Sequence, residues 1–333
     1  MKAILHVGVP KTGSTSIQTT LSKNHQALWA QNVLVPGNDH ACFHGADCMA
    51  ELFVSPDQDV VTPLAIDTVL DGLETDQALV IISSEYISAR YRRLDRLKQY
   101  MSSRFSDYRV VMYLREPVSQ YVSITMQTLK ATDVIVPPQE YRMHLRGKVE
   151  AFERAFQDKF VLRSFDRDAL TNGSVVDDFF DLTSTFWGRG IHVEAASTNK
   201  SPPAEVMYLM QKYFAHNFPG EDRAFRPDAL AYYFVLGNSA EKEGVPTSMK
   251  AKPATRTAIL AGHRDDLLWL KAERGIAFRK VDYDAMPRSV VAPGPNETSI
   301  EDIVQIDHEA VNRILQRSVR NLALRCKNQF GFH

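Results

Sequence analysis

A chain of 333 residues, 44% apolar and 24% charged, has enough length and apolar content to bury a large core, which excludes a disordered or fibrous protein. Lysine and arginine number 39 against 40 aspartates and glutamates, so no net field draws the molecule onto nucleic acid or an anionic membrane, and any anion it holds needs a local site. The three cysteines, Cys42, Cys48 and Cys326, lack CxxC spacing and suggest neither a disulfide framework nor a zinc site, and the apolar stretch before Gly8 and Pro10 is too short for a signal-peptide core or a membrane span; the expectation is a cytoplasmic protein.

The first predicted element is a strand over Ala3–Val7, which runs into Gly8-Val9-Pro10-Lys11-Thr12-Gly13-Ser14-Thr15-Ser16. A helical pattern over Ser14–Trp29 begins inside that stretch. Strand, glycine-bearing loop and helix in this order make an anion site, because backbone N–H groups converge there and the helix dipole adds positive charge. Gly13 permits close backbone approach, Lys11 supplies a mobile cation, and Thr12, Ser14, Thr15 and Ser16 offer hydroxyls. Gly8 and Gly13 have the glycine spacing of the Walker A motif, but Ser14 stands where that motif has its lysine, and Lys11 precedes the second glycine by two residues.

A short strand follows at Val33–Val35, then a polar loop carrying His40 and His44. Ala78–Ser83 is a third strand, ending in Ser83-Ser84-Glu85, with a helix over Ile87–Phe105. The strand Arg109–Leu114 leads into Arg115-Glu116-Pro117, and Pro117 suits the first turn of a helix over Pro117–Thr128. Arg115 thus comes at the carboxyl end of a strand, the edge where open α/β sheets bind ligands, and a guanidinium there can fork onto two phosphate oxygens. A helix over Lys148–Gln157, a strand over Phe160–Ser164 and a helix over Val175–Leu182 continue the alternation. After residue 200 the strand-like runs give way to amphipathic stretches at Ala204–Phe214, Asp228–Leu236, Ala254–Glu273 and Asp302–Cys326. The fold class expected is α/β, three-layered, with a central and mostly parallel sheet in a core over 1–200, and a mostly helical region over 201–333.

Pro10–Ser16 matches at every position the pattern P-K-[TS]-G-[TS]-[TS]-[ST] of the phosphosulfate loop, and here the chain resembles the sulfotransferases that use 3′-phosphoadenosine 5′-phosphosulfate (PAPS). Arg115, Pro117 and Ser123 have the spacing of that family's 3′-phosphate motif, although Gln120 and Tyr121 stand where many relatives carry a further arginine. Val161–Asp168 and Asn199-Lys200-Ser201 are similar to shorter elements of bacterial members. The resemblance covers about residues 1–201 and implies the P-loop-like sulfotransferase fold, with PAPS as donor and 3′-phosphoadenosine 5′-phosphate (PAP) as product. It also implies Pro10–Ser16 around the phosphosulfate, and Arg115 with Ser123 at the 3′-phosphate. PAPS carries anionic groups at both ends of its ribose, so two anion holders are what its recognition needs.

Sulfuryl transfer is an in-line displacement in which the protein positions reactants and neutralises charge. Lys11 is the residue expected to follow charge onto the leaving oxygen, and no carboxylate pair or histidine cluster suggests a metal. Glu85, at the end of the third strand, is the first candidate for the base that deprotonates the acceptor, a position where related carbohydrate sulfotransferases often have a glutamate. His40 and His44 are second candidates, whereas His6, within the first strand, reads as a hydrogen-bonded core residue. The acceptor expected is a hydroxyl or amine of a carbohydrate or glycolipid, with Tyr208, Tyr213, Tyr232, Tyr233 and Trp269 as aromatic candidates for its pocket against a default of core packing. Two other readings stand beside this one: a P-loop kinase, and a non-catalytic nucleotide-binding or interaction protein of the same fold.

Overall fold

Five apolar segments pair into one sheet, because a strand that is apolar on both faces can satisfy its backbone and bury its side chains only between neighbours and under helices. In the computed structural model these are β1 (Lys2–Val7), β2 (Val33–Leu34), β3 (Leu79–Ser84), β4 (Asp107–Leu114) and β5 (Phe160–Ser164), all parallel, in the order β2-β3-β1-β4-β5. The structure describes residues 1–36, 67, 70, 78–92, 94–196, 201–220, 224–288 and 298–330, without the side chains of 86 and 322–330. The α/β class with a central parallel sheet is therefore observed. Registers are fixed at Ile4 opposite Ile81 on one side and Arg109 on the other.

Helices α1 (Ser14–Lys23), α2 (His25–Ala30), α3 (Tyr86–Ala89), α4 (Asp95–Arg104), α5 (Pro117–Thr128), α6 (Leu145–Phe156) and α7 (Val175–Trp187) follow the strands. One face of the sheet, with Ile4, Leu79, Ile81, Val111 and Tyr113, packs against Ile17 and Leu21 of α1, Leu28 of α2 and Phe179, Phe180 and Trp187 of α7. On the other face Tyr108 meets Phe156 of α6 edge-on, and α6 packs on α4. Helix α7 is well specified. Ser174 caps it by accepting from Asp177 N, Asp177 and Asp178 sit in its first turn, and Gly188 ends it at φ 81°.

The chain falls into two compact units. The first comprises Met1–Glu116, His144–Thr198 and Asp265–Asp282, and so takes a segment from the helical tail. That segment carries most of α11 (Arg264–Arg274), and Arg274 forks onto both carboxylate oxygens of Glu153 in α6, at 2.5 and 2.8 Å. Arg279 adds a backbone bond to Asp166 and an ion pair with Asp168. The second unit comprises Pro117–Met143, Asn199–Arg264 and Tyr283–His333. It holds α5, α8 (Ala204–Asn217), α9 (Pro227–Lys242), α10 (Pro253–Gly262), α12 (Ile300–Ile303) and α13 (His308–Phe330). Among the described residues no helix is long and apolar enough to cross a membrane.

Candidate functional site

β1 delivers the chain at Val7 to a loop whose path is set by its backbone. Gly8 N donates to Ser84 O at 3.1 Å, extending the pairing with β3 by one residue. Lys11 then adopts a left-handed conformation at φ 67° and Gly13 another at φ 83°. Glycine takes this basin freely, whereas for Lys11 it costs about 1 kcal/mol, so the turn must be held by its neighbours. Thr12 supplies part of that hold: its N–H reaches Val9 O at 3.3 Å, and its buried hydroxyl donates to the same oxygen at 2.7 Å. The hydroxyl of Thr12 is thus directed inward, to the loop itself.

Helix α1 starts at Ser14 with Gly13 as its N-cap and no side chain capping it. Ser16 N–H turns back onto Gly13 O at 2.9 Å, and the positive end of the helix dipole lies at the loop. Lys11 and Ser16 are half-buried, Pro10 and Thr15 exposed. Ser14 is buried, and its hydroxyl has no hydrogen-bond partner among the described residues. A buried hydroxyl left so costs about 1–3 kcal/mol, a deficit that an anion seated in the loop would remove.

Glu85 closes the second side. Continuing the β1–β3 register places it opposite Gly8, and a Cβ on Gly8 would lie 2.8 Å from Glu85 Cγ and 2.4 Å from Ser14 Oγ. The missing side chain of Gly8 is what lets the glutamate and the serine close on the strand end. Ser88 of α3, fully buried, fixes this arrangement: its Oγ lies 2.5 Å from Gly8 O and 3.0 Å from Glu85 O, a donor shared between the two carbonyls.

Arg115 closes the third side. The β1–β4 register, continued past the strands, brings it level with Pro10, and its Nη1 donates to Lys11 O at 2.7 Å. Its guanidinium carbon stands 5.6 Å from the ring centre of Phe165, whose own N–H donates to Leu114 O at 2.7 Å. The loop of Lys11, Glu85 and Arg115 therefore share one edge of the sheet, at the carboxyl ends of β1, β3 and β4.

Beneath the loop, His6 of β1 bonds through Nδ1 to Ser83 Oγ at 2.8 Å, and Gln18 Nε2 donates to the same oxygen at 3.2 Å. The imidazole lies edge-on to Tyr113 and Phe179, and burial lowers its pKa to about 4, so it stays neutral near pH 7. The expectation of a hydrogen-bonded core histidine holds. Tyr113 in turn donates to Asp178 Oδ2 at 2.8 Å, and Arg163 of β5 pairs with the same carboxylate. Burial alone would raise the Asp178 pKa, but the hydrogen bonds from Arg163, Tyr113 and the Thr171 amide more than offset it and hold the group below its ordinary value.

No protein-family model matches the chain, and no curated protein is significantly similar to it. The chain is similar to a solved structure. That structure is titled as a sulfotransferase from Alicyclobacillus acidocaldarius, is 15% identical, and aligns over 81% of this chain and 94% of that one with a TM-score of 0.31. A superposition that loose bears on neither the site nor the reaction.

The other residues named from the sequence lie on other segments. Pro117 opens α5 as expected and Ser123 lies on the same helix, half-buried, both in the second unit. Gln120 is buried and accepts from Tyr141 at 2.8 Å, while Tyr121 donates to Val136 O at 2.7 Å. His40, His44, Asn199 and Lys200 lie outside the described residues. Tyr213 and Tyr232 lie tilted to one another with ring centres 5.0 Å apart, and Trp269 is flanked by Arg146 and Arg274. A cleft of about 570 Å³ in the second unit, bounded among others by Glu205, Lys250, Lys252, Glu301 and Asp307, contains none of the residues named from the sequence. Ser88 and Phe165 were not legible in sequence, because one acts through carbonyl oxygens and the other through a ring face.

Proposed function

We propose that this protein is a sulfotransferase that moves a sulfuryl group from PAPS to a hydroxyl or amine of a carbohydrate-type acceptor and releases PAP. The observation that carries this reading is the meeting of the Lys11 loop with Arg115 and Glu85 at one sheet edge. In this reading Pro10–Ser16 encloses the phosphosulfate, with backbone N–H groups, the Lys11 ammonium and the Ser14 hydroxyl as donors. Arg115 takes the 3′-phosphate, and Ser123 joins it on its sequence spacing alone.

The acceptor oxygen attacks sulfur as the bond from sulfur to the bridging oxygen breaks. Its electron pair goes to the 5′-phosphate of PAP, where Lys11 follows the growing charge, and the acceptor proton goes to Glu85. The test is direct: purified protein is incubated with sulfur-labelled PAPS and a panel of saccharide, glycolipid and phenolic acceptors, with the Lys11→Ala variant and γ-labelled ATP as controls. Label transferred to a saccharide by the wild type and not by Lys11→Ala is the expected result. Transfer from ATP instead would favour the kinase reading, and transfer from neither donor would favour a non-catalytic nucleotide-binding protein.

A further inference from the structure

The left-handed path of the loop needs an external support, and the structure supplies one from the opposite strand. Lys11 sits at φ 67°, a conformation that disfavours a side chain, and its carbonyl is the acceptor of Arg115 Nη1 at 2.7 Å. Two residues on, Gly13 is at φ 83°, and a Cβ there would lie 2.9 Å from Phe165 Cε2 and 2.7 Å from Val175 Cγ1. The same Phe165 ring carries the Arg115 guanidinium on its face, 5.6 Å from the centroid. Phe165 is anchored by its own backbone to Leu114, the residue before Arg115. Arginine, ring and the two left-handed residues thus make one closed contact set, all within the first unit.

We infer that Arg115 and Phe165 form a latch that holds the Pro10–Ser16 loop in its anion-binding shape, so that the guanidinium assigned to the 3′-phosphate also positions the 5′ cradle. The part that concerns nucleotide rests on the sulfotransferase reading; the latch itself does not. Arg115 is in this respect a positioning residue. A group at the 3′ end of the donor then acts on the arginine that shapes the site of the other end, and the two ends are recognised together.

Hydrogen exchange on the ligand-free protein tests the latch without any nucleotide. In Arg115→Ala, amides in a peptide covering residues 8–16 exchange at least tenfold faster, while peptides from β3 and β4 keep wild-type rates; Phe165→Leu, which leaves the charge in place, gives the same local change, and Arg115→Lys gives a smaller one. Wild-type exchange in that loop in both Arg115→Ala and Phe165→Leu overturns the latch. Calorimetry then separates the two ends: adenosine 5′-phosphosulfate, which has no 3′-phosphate, binds Arg115→Ala about tenfold more weakly than the wild type. Weakened PAP binding with unchanged adenosine 5′-phosphosulfate binding overturns the latch and keeps the sulfotransferase reading. A wild type that binds neither nucleotide, with the exchange result as expected, overturns that reading and keeps the latch.

Discussion

Glu85 owes its place to an absence, the side chain that Gly8 lacks, and Ser88 holds the backbone around it. As the proposed base it should be separable from donor binding. Glu85→Gln keeps the shape and its contacts with the strand end but cannot take a proton, so PAP affinity by calorimetry stays near wild type while turnover at saturating acceptor falls by about 10² or more. Turnover within a fewfold of wild type would move the base elsewhere. His6, two residues before the loop, gives a pH prediction. Its imidazole titrates at about 4 in the folded protein against 6.5 when exposed, so the unfolded chain takes up the proton first and stability falls as pH drops from about 6.5 to about 4. The loss from this one group is about 3 kcal/mol, and denaturant unfolding across that window should show a shallower decline in His6→Asn; an identical slope would show that another group is responsible. Sequence made Lys11, Glu85 and Arg115 legible because charged residues at strand ends stand out against apolar runs. It could not reveal that Thr12 turns inward or that Phe165 lies under Arg115, since both depend on where a distant segment arrives.

The strands were the most legible elements, each an apolar run closed by polar or turn residues, and all five appear within about two residues of their expected bounds. Helices were legible as stretches of periodicity but not in their breaks. The pattern over Ser14–Trp29 is two helices, because Asn24 turns its side chain back onto Thr20 O at 2.9 Å and its backbone leaves the helical basin. Ala254–Glu273 breaks likewise at His263, and Asp302–Cys326 breaks before Asp307, whose carboxylate caps the N–H groups of Glu309 and Ala310. Amphipathic spacing runs on across such short breaks, one residue at Asn24 and at His263 and four before His308, so it does not mark them. Helix α7 is tied to β4 and β5 by the buried carboxylate of Asp178, which receives Tyr113, Arg163 and the Thr171 amide. Asp178→Asn should destabilise the protein by about 3 kcal/mol in urea unfolding at pH 7, since it leaves Arg163 without its counter-charge. The depressed pKa adds a sign: the carboxylate stabilises the fold above its ordinary value of 3.8, and that contribution fades as pH falls through the lower folded value. The gap between wild type and Asp178→Asn should therefore narrow in strong acid, and a constant gap would contradict the assignment.

At the scale of the whole molecule, the end of the strand-like runs near residue 200 suggested a boundary there, but periodicity could not show the interleaving of segments, because Arg274–Glu153 and Arg279–Asp168 are pairings between residues more than 100 positions apart. Ligand linkage supplies the test at this scale. Only a folded chain presents the loop, Glu85 and Arg115 together, so PAP at a hundred times its dissociation constant adds about 2.7 kcal/mol and raises the melting temperature by several degrees. ATP and GTP at the same concentration should shift it less, and equal shifts for all three would point away from a 3′-phosphate requirement.

The strand order has a further consequence for how the protein is made. β1 is synthesised before both of its partners, residues 79–84 and 107–114. This apolar strand therefore waits unpaired until β3 has been made, about 70 residues on, and keeps one edge open until β4 follows, a long-range closure that is slow and exposed to aggregation. Nascent chains halted before residue 79 should engage chaperones at β1, and release should begin with the emergence of β3 and be complete with that of β4.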